Sequence, residues 1–273
     1  MSVRVRDVLM GQLDQLRHEP VGYRVRARLG DQVVVDTREA LLVWEPRRIV
    51  PEFAVPVADV VGTVEPAPAG GVGEDPMAAA PMLGERRVLD PSVPFAAHTA
   101  PGERLEVVSG ASRAAAYRLD DPDLAGHVLL EFAAFDEWRG EDELLVSHPR
   151  DPFHRIDILS SSAHVRVELD GVTLAESDHP LVLLEPPLPP RFYLDPADVR
   201  TDLLTPTDTE TWCAYKGRAS YWARDGHGDV AWVYEEPLRD AAEVRGRIAF
   251  FTERVDVVVD GRRPDRPVTP WSS

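Results

Sequence analysis

One run of residues occurs twice in this chain, and the recurrence limits what the chain can fold into. Leu41-Leu42-Val43-Trp44-Glu45-Pro46 returns as Leu181-Val182-Leu183-Leu184-Glu185-Pro186. Pro51-Glu52-Phe53 through Asp59-Val60 returns as Pro190-Arg191-Phe192 through Asp198-Val199. Ala116-Tyr117 to Pro122 parallels Ala231-Trp232 to Pro237, and Gly126-His127-Val128-Leu129 parallels Gly246-Arg247-Ile248-Ala249. Self-similarity in the same order predicts that one folding unit is used twice. The boundaries that follow are a helix over 1–20, a first copy over 21–147, an inter-repeat segment over 148–161 and a second copy over 162–273.

Side-chain period assigns the class. Val25, Ala27 and Leu29 alternate with Arg24, Arg26 and Arg28, which predicts a strand with one wet face. Gly30-Asp31 predicts a hairpin turn, and Gln32 to Asp36 and Ala40 to Trp44 further strands. His164 to Leu169, the turn Asp170-Gly171, Val172 to Ala175 and Leu181 to Leu184 repeat the order. The fold expected is therefore mainly β, with short helices. Val5, Val8, Leu9, Leu13 and Leu16 recur at helical spacing, so a helix is predicted over about 3–17, ended by Glu19-Pro20. Pro237 and Gly246 bracket a short helix over about 238–245. Residues 62–94, rich in Pro, Ala and Gly, interrupt the first copy only and predict a mobile surface loop. His148 to Asp157, stiffened by two prolines, predicts a salt-linked junction, and the two copies are expected to pack as a pseudo-symmetric pair.

The formal charge of -17 disfavours nucleic acid and anionic membranes as partners. The one cysteine cannot form an internal disulfide, which fits a reducing cytoplasm. Residues 1–17 mix arginine and aspartate among apolar residues and lack a signal peptide's apolar run. No run is apolar enough over sufficient length to span a bilayer as a helix. His148 and His154 are not at zinc-ligand spacing, so neither a metal nor a cofactor is expected.

The segment Thr211 to Tyr221 holds the only cysteine, Cys213, and the only lysine, Lys216, although Lys and Arg together number 30. Asn is absent, so codon bias accounts for arginine at most cationic positions and leaves a retained lysine as a candidate for chemistry that guanidinium cannot do. If the segment is a strand, Cys213 and Lys216 face opposite ways. If it is a turn, as Gly217 suggests, they converge and the ammonium favours the thiolate. The alternative is an inert buried thiol. The repeat also acts as a sieve. Pairs present in both copies (Glu45/Glu185, Phe53/Phe192, Asp59/Asp198, Gly126/Gly246, Asp136/Asp256) are expected to serve the fold, and for Glu185 holding a pocket base is the second reading behind that structural one. Residues special to the second copy are the site candidates: Cys213, Lys216 and Tyr221 for catalysis, and Arg191, Tyr193, Tyr215, Trp232 and Tyr234, with Glu185, for ligand binding.

The segments His148 to Asp157, Glu185 to Tyr193, Asp198-Val199-Arg200, Cys213 to Tyr221, Ala231 to Tyr234 and Val255 to Gly261 resemble the DUF427 family in its tandem two-copy form. The resemblance implies an Mss4-like or β-tent-like fold in each copy and no assigned function. The family is sometimes labelled nucleotidyltransferase-like, but this chain has no Gly-Ser followed by paired aspartates and no phosphate-cradling loop. Ala214 stands where the family usually has proline, and the first copy lacks the family's polar residues near His98, which marks that copy as a scaffold. Three functions stay open: a small, perhaps anionic, ligand bound in the second copy; an enzyme using Cys213 or Lys216; and a protein–protein adaptor.

Overall fold

The computed structural model describes residues 2–68, 77–78 and 80–272. The chain divides into two units, one of residues 1–81 and 87–151, the other of residues 82–86 and 152–273. Both are mainly β.

In the second unit a seven-stranded antiparallel sheet runs, in spatial order, Asp157–Ser160, Leu181–Leu184, Arg191–Leu194, Ile248–Phe250, Gly228–Val233, Gly217–Arg224 and Thr205–Cys213. A three-stranded sheet runs Val172–Ser177, Val165–Leu169 and Asp256–Val259. The two-residue period sorts the large sheet's side chains between its faces. Leu194, Ile248 and Phe250 join Val165, Val167, Leu169 and Val257 in one buried cluster. Tyr193, Trp232, Tyr234, Ala249 and Phe251 form a second cluster. Full burial of each large apolar side chain contributes about 1.5–3 kcal/mol. The second cluster underlies the candidate site.

In the first unit the large sheet runs Arg17–Pro20, Leu41–Trp44, Glu52–Pro56, His127–Leu130, Ser112–Leu119, Gly102–Ser109 and Thr63–Pro66. The smaller sheet runs Glu143–Leu145, Glu137–Gly140, Val25–Leu29 and Gln32–Thr37. Taken strand by strand, the large sheet has the same order as that of the second unit. Shared polar residues sit in matching places. Thr37 donates to Asp59 at 2.6 Å, and Ser177 to Asp198 at 2.6 Å. Asp136 accepts from Gly30 N at 2.6 Å and fastens a hairpin turn, whereas Asp256 pairs with Arg263 and Arg266.

Several sequence expectations change. The N-terminal helix spans only Val5–Gly11, followed by a 3-10 turn over Gln12–Asp14. Residues 17–20, placed near the end of that helix by the sequence reading, form an edge strand. Arg17 pairs with Trp44 and Pro20 with Leu41, because an open strand edge satisfies the backbone there. The 62–94 insert contains Thr63–Pro66, paired along Gly102–Ser109, and buries Ala80, Leu83, Val88 and Leu89. The loop expectation for 69–76 and 79 lies outside the described residues. Within the inter-repeat segment, Asp157–Ser160 is the edge strand beside Leu181–Leu184. The helix expected over 238–245 is a 3-10 segment, Arg239–Val244. No helix among the described residues is long and apolar enough to cross a membrane.

Candidate functional site

Glu185 directly follows the strand Leu181–Leu184, whose Leu183 faces Arg191 on the next strand. Its carboxylate is buried. One oxygen accepts a hydrogen bond from Lys216 Nζ, and the other lies 3.3 Å from His154 Nε2. Burial pushes the Glu185 carboxyl up, but the Lys216 ammonium and the hydrogen bonds of His154 and Lys216 outweigh it and hold it at about 2. Burial pulls Lys216 down, and the Glu185 charge more than offsets this, leaving the ammonium above the ordinary lysine range. Both groups are charged at neutral pH. Lys216 is thus a fixed positive charge.

The segment that carries Lys216 is a turn. Cys213 pairs with Gly217 across a hairpin, and Ala214, Tyr215 and Lys216 form the loop between them. All three loop residues are buried. Gly217 has φ +92°, and a Cβ there would meet Leu238 at 3.3 Å, so glycine suits the position on both counts. Leu238 N donates to Lys216 O at 3.0 Å and fixes the loop. The Tyr215 ring tilts against His154 with centroids 4.8 Å apart. Cys213 is a free, half-buried thiol that interacts electrostatically with Lys216, Tyr193, Tyr221 and Tyr234.

Tyr193, Tyr221 and Tyr234 lie within electrostatic reach of this charged pair. Tyr193 is fully buried, and its hydroxyl accepts the Trp232 indole N–H at 3.1 Å. Burial pushes its phenol up to about 12, and pushes that of Tyr234 well above the ordinary tyrosine value. Tyr221 stacks on Phe251 with centroids 6.0 Å apart, and its hydroxyl lies 2.6 Å from Thr211 Oγ1.

Arg191 is placed differently from the sequence expectation. Its guanidinium is buried and grips Glu253 with two nitrogens, and it donates to Thr252 as well. The Trp232 and Trp271 rings lie 5.6 Å and 5.9 Å from its carbon. Glu253 is pushed up by burial, but Arg191 and Thr269 hold it below the usual carboxylate range. Arg191 therefore reaches the structure already neutralised. The sequence reading missed His154 and Glu253 as partners. His154 lies in the segment expected from sequence to be salt-linked, with no partner specified, and nothing pointed to Glu253.

Among the described residues, no group of three or more His, Cys, Asp and Glu side chains could hold a metal ion. The second unit is thus a two-sheet antiparallel domain in which a buried Glu185–Lys216 pair meets a partly exposed His154, near a single thiol. Residues 157–261 match the family model described as a domain of unknown function (DUF427). No curated protein matches the chain.

Proposed function

We propose that the second unit binds a small ligand through an anionic group received by Lys216 and His154. The observation that carries this reading is their convergence on Glu185, one at each oxygen. A lone buried ion pair is weak evidence for stability, so its presence invites a functional account. The His154 contact is long, at 3.3 Å, and its side chain is 21% exposed, so His154 is the member that can turn toward a ligand. Arg191, a ligand-binding candidate from sequence, is engaged by Glu253 and takes no part in this reading. Tyr193, Tyr215, Tyr221, Trp232 and Tyr234 supply the walls, an arrangement of aromatic surface with few polar groups that suits small-molecule sites. The common strand order supports reading the first unit as a second copy of the same domain.

A second reading makes Cys213 a nucleophile, favoured by its partial exposure and by the fixed charge of Lys216 nearby. One set of measurements tests both. The full chain, as purified, is examined by native mass spectrometry for a co-purified small molecule. Thermal unfolding is then followed with a panel of carboxylates and phosphates. Stabilisation by a panel member, lost in Lys216→Met and in His154→Phe, supports the site. A ligand that still binds Cys213→Ala, but is no longer converted by it, supports the enzyme. If no compound binds, or binding survives both Lys216→Met and His154→Phe, the proposal fails.

A further inference from the structure

The first unit has a polar centre at the matching end of its large sheet. Glu45 follows the strand Leu41–Trp44 as Glu185 follows Leu181–Leu184. Its donors are different. His98 Nδ1 lies 2.8 Å from one oxygen, and the other accepts from Thr99 N at 2.8 Å and Ala100 N at 3.0 Å. Burial pushes the Glu45 carboxyl up, and these donors more than offset it, so the group stays ionised. A carboxylate has no proton to give. The short contact therefore places a proton on His98 Nδ1, and in the neutral ring Nε2 carries the lone pair.

The imidazole is held in its plane. Tyr117 stacks on it with centroids 3.5 Å apart and planes 9° apart, and Phe95 meets it edge-on at 5.0 Å. Tyr117 is itself tied to Ala100 O at 2.9 Å. Nε2 has no hydrogen-bond partner among the described residues, and the His98 side chain keeps 8% of its surface exposed. Two backbone N–H groups already serve Glu45, so satisfying that carboxylate does not by itself call for an oriented histidine. Glu52 opens the next strand in order, and Glu131 directly follows the strand after it, His127–Leu130, at the same end. Burial pushes both carboxyls up, Glu52 to about 8, opposite in direction to Glu45. Environments that drive neighbouring carboxyls apart separate a base from an acid.

We propose that the first unit is an acid–base site in its own right, in which Glu45 orients His98 so that Nε2 accepts the proton of a hydroxyl, from water or a small alcohol. His98 is the catalytic residue and Glu45 a positioning residue. In hydrolysis of an activated ester, Nε2 takes a proton from water as the water oxygen bonds to the carbonyl carbon. The imidazolium then returns that proton to the departing alkoxide as its carbon–oxygen bond breaks, giving acid and alcohol.

The probe is p-nitrophenyl acetate, with steady-state release of p-nitrophenolate measured on the full chain. His98→Gln lowers turnover by at least about tenfold, at the modest end of what general bases contribute. Glu45→Gln lowers it too, because an amide can donate to Nδ1 and move the ring proton to Nε2. Long-range proton–nitrogen NMR on the unsubstituted chain reads the tautomer directly. It shows a protonated Nδ1 and a bare Nε2 in the neutral ring, and the reverse in Glu45→Gln. A protonated Nε2 in the unsubstituted chain, or turnover unchanged in a folded His98→Gln, overturns the proposal. If the variants do not fold, the tautomer in the unsubstituted chain decides. Failure here leaves the second unit's reading untouched.

Discussion

Trp232 gives its indole N–H to the hydroxyl of Tyr193 across 3.1 Å, with the two rings edge to face. Both residues are buried, so no water replaces a lost partner. Tyr193→Phe is expected to cost about 1–3 kcal/mol by stranding the indole donor. Tyr221→Phe, whose partner Thr211 is exposed, is expected to cost less than about 1 kcal/mol. Urea unfolding of the two variants compares them. Equal losses would show that the buried bond has no special weight.

The same phenol sets an alkaline limit. Tyr193 titrates at about 12 in the folded chain and at its ordinary value of 10.0 when unfolded. Above pH 10 the unfolded state binds fewer protons, so this contribution to stability falls as pH rises from 10 toward 12. A spectrophotometric titration should show Tyr193 ionising only with unfolding. Reversible ionisation of every tyrosine in the folded chain by pH 11 would contradict this.

Glu185 and Glu52 should give stability opposite dependences on pH. Glu185 is depressed from 4.5 to about 2, so its contribution is present above pH 4.5 and is lost as pH falls toward 2. The full effect is on the order of 3 kcal/mol. Glu52 is raised from 4.5 to about 8, so folding favours its neutral form, and stability declines as pH rises between those values. One of its oxygens is buried without a partner. Glu52→Gln is therefore expected to remove that decline and to stabilise the chain at pH 7 by about 2–3 kcal/mol. Denaturant midpoints at pH 3, 5 and 7 for Glu52→Gln and Glu185→Gln test both signs.

Lys216→Met leaves the Glu185 charge buried without its ammonium, at an expected cost of about 3–5 kcal/mol. Combining it with Glu185→Gln should recover most of that loss. A double variant as unstable as Lys216→Met alone would mean that the lysine acts through packing.

Gly217→Ala and Gly226→Ala compare two left-handed positions, at φ +92° and +82°. The first brings a Cβ to 3.3 Å from Leu238, and the second meets nothing within 4 Å. Both carry the backbone cost of about 1–2 kcal/mol, and Gly217→Ala should exceed it. Thermal midpoints that fall equally would remove the packing argument.

Much of the β architecture was legible in the sequence because period and turn residues are local signals. Alternation gave Val25–Leu29, and Gly217 marked the loop that carries Lys216. Pairing across distance was not legible. His154 meets Glu185 over 31 residues and Arg191 meets Glu253 over 62, and no spacing rule links such positions. The strand Arg17–Pro20 was hidden for a related reason, since it exists through pairing with Leu41–Trp44 and its own residues, Arg17-His18-Glu19-Pro20, carry no apolar alternation. The Pro-rich composition of residues 62–94 concealed Val88 and Leu89, which are fully buried, and Arg48 anchors the stretch beyond them through the carbonyls of Pro94, Phe95 and Ala97.

The carboxylate that grips Arg191 also accepts the hydroxyl of Thr269 at 2.5 Å, and Trp271 lies over the same guanidinium. This matters at the bench. Substitutions at Thr269 or Trp271, far along the chain from the strand that carries Arg191, would therefore disturb the seat of Arg191 beside Trp232. Substitutions in the helix Val5–Gly11, which buries none of its residues, carry no such consequence.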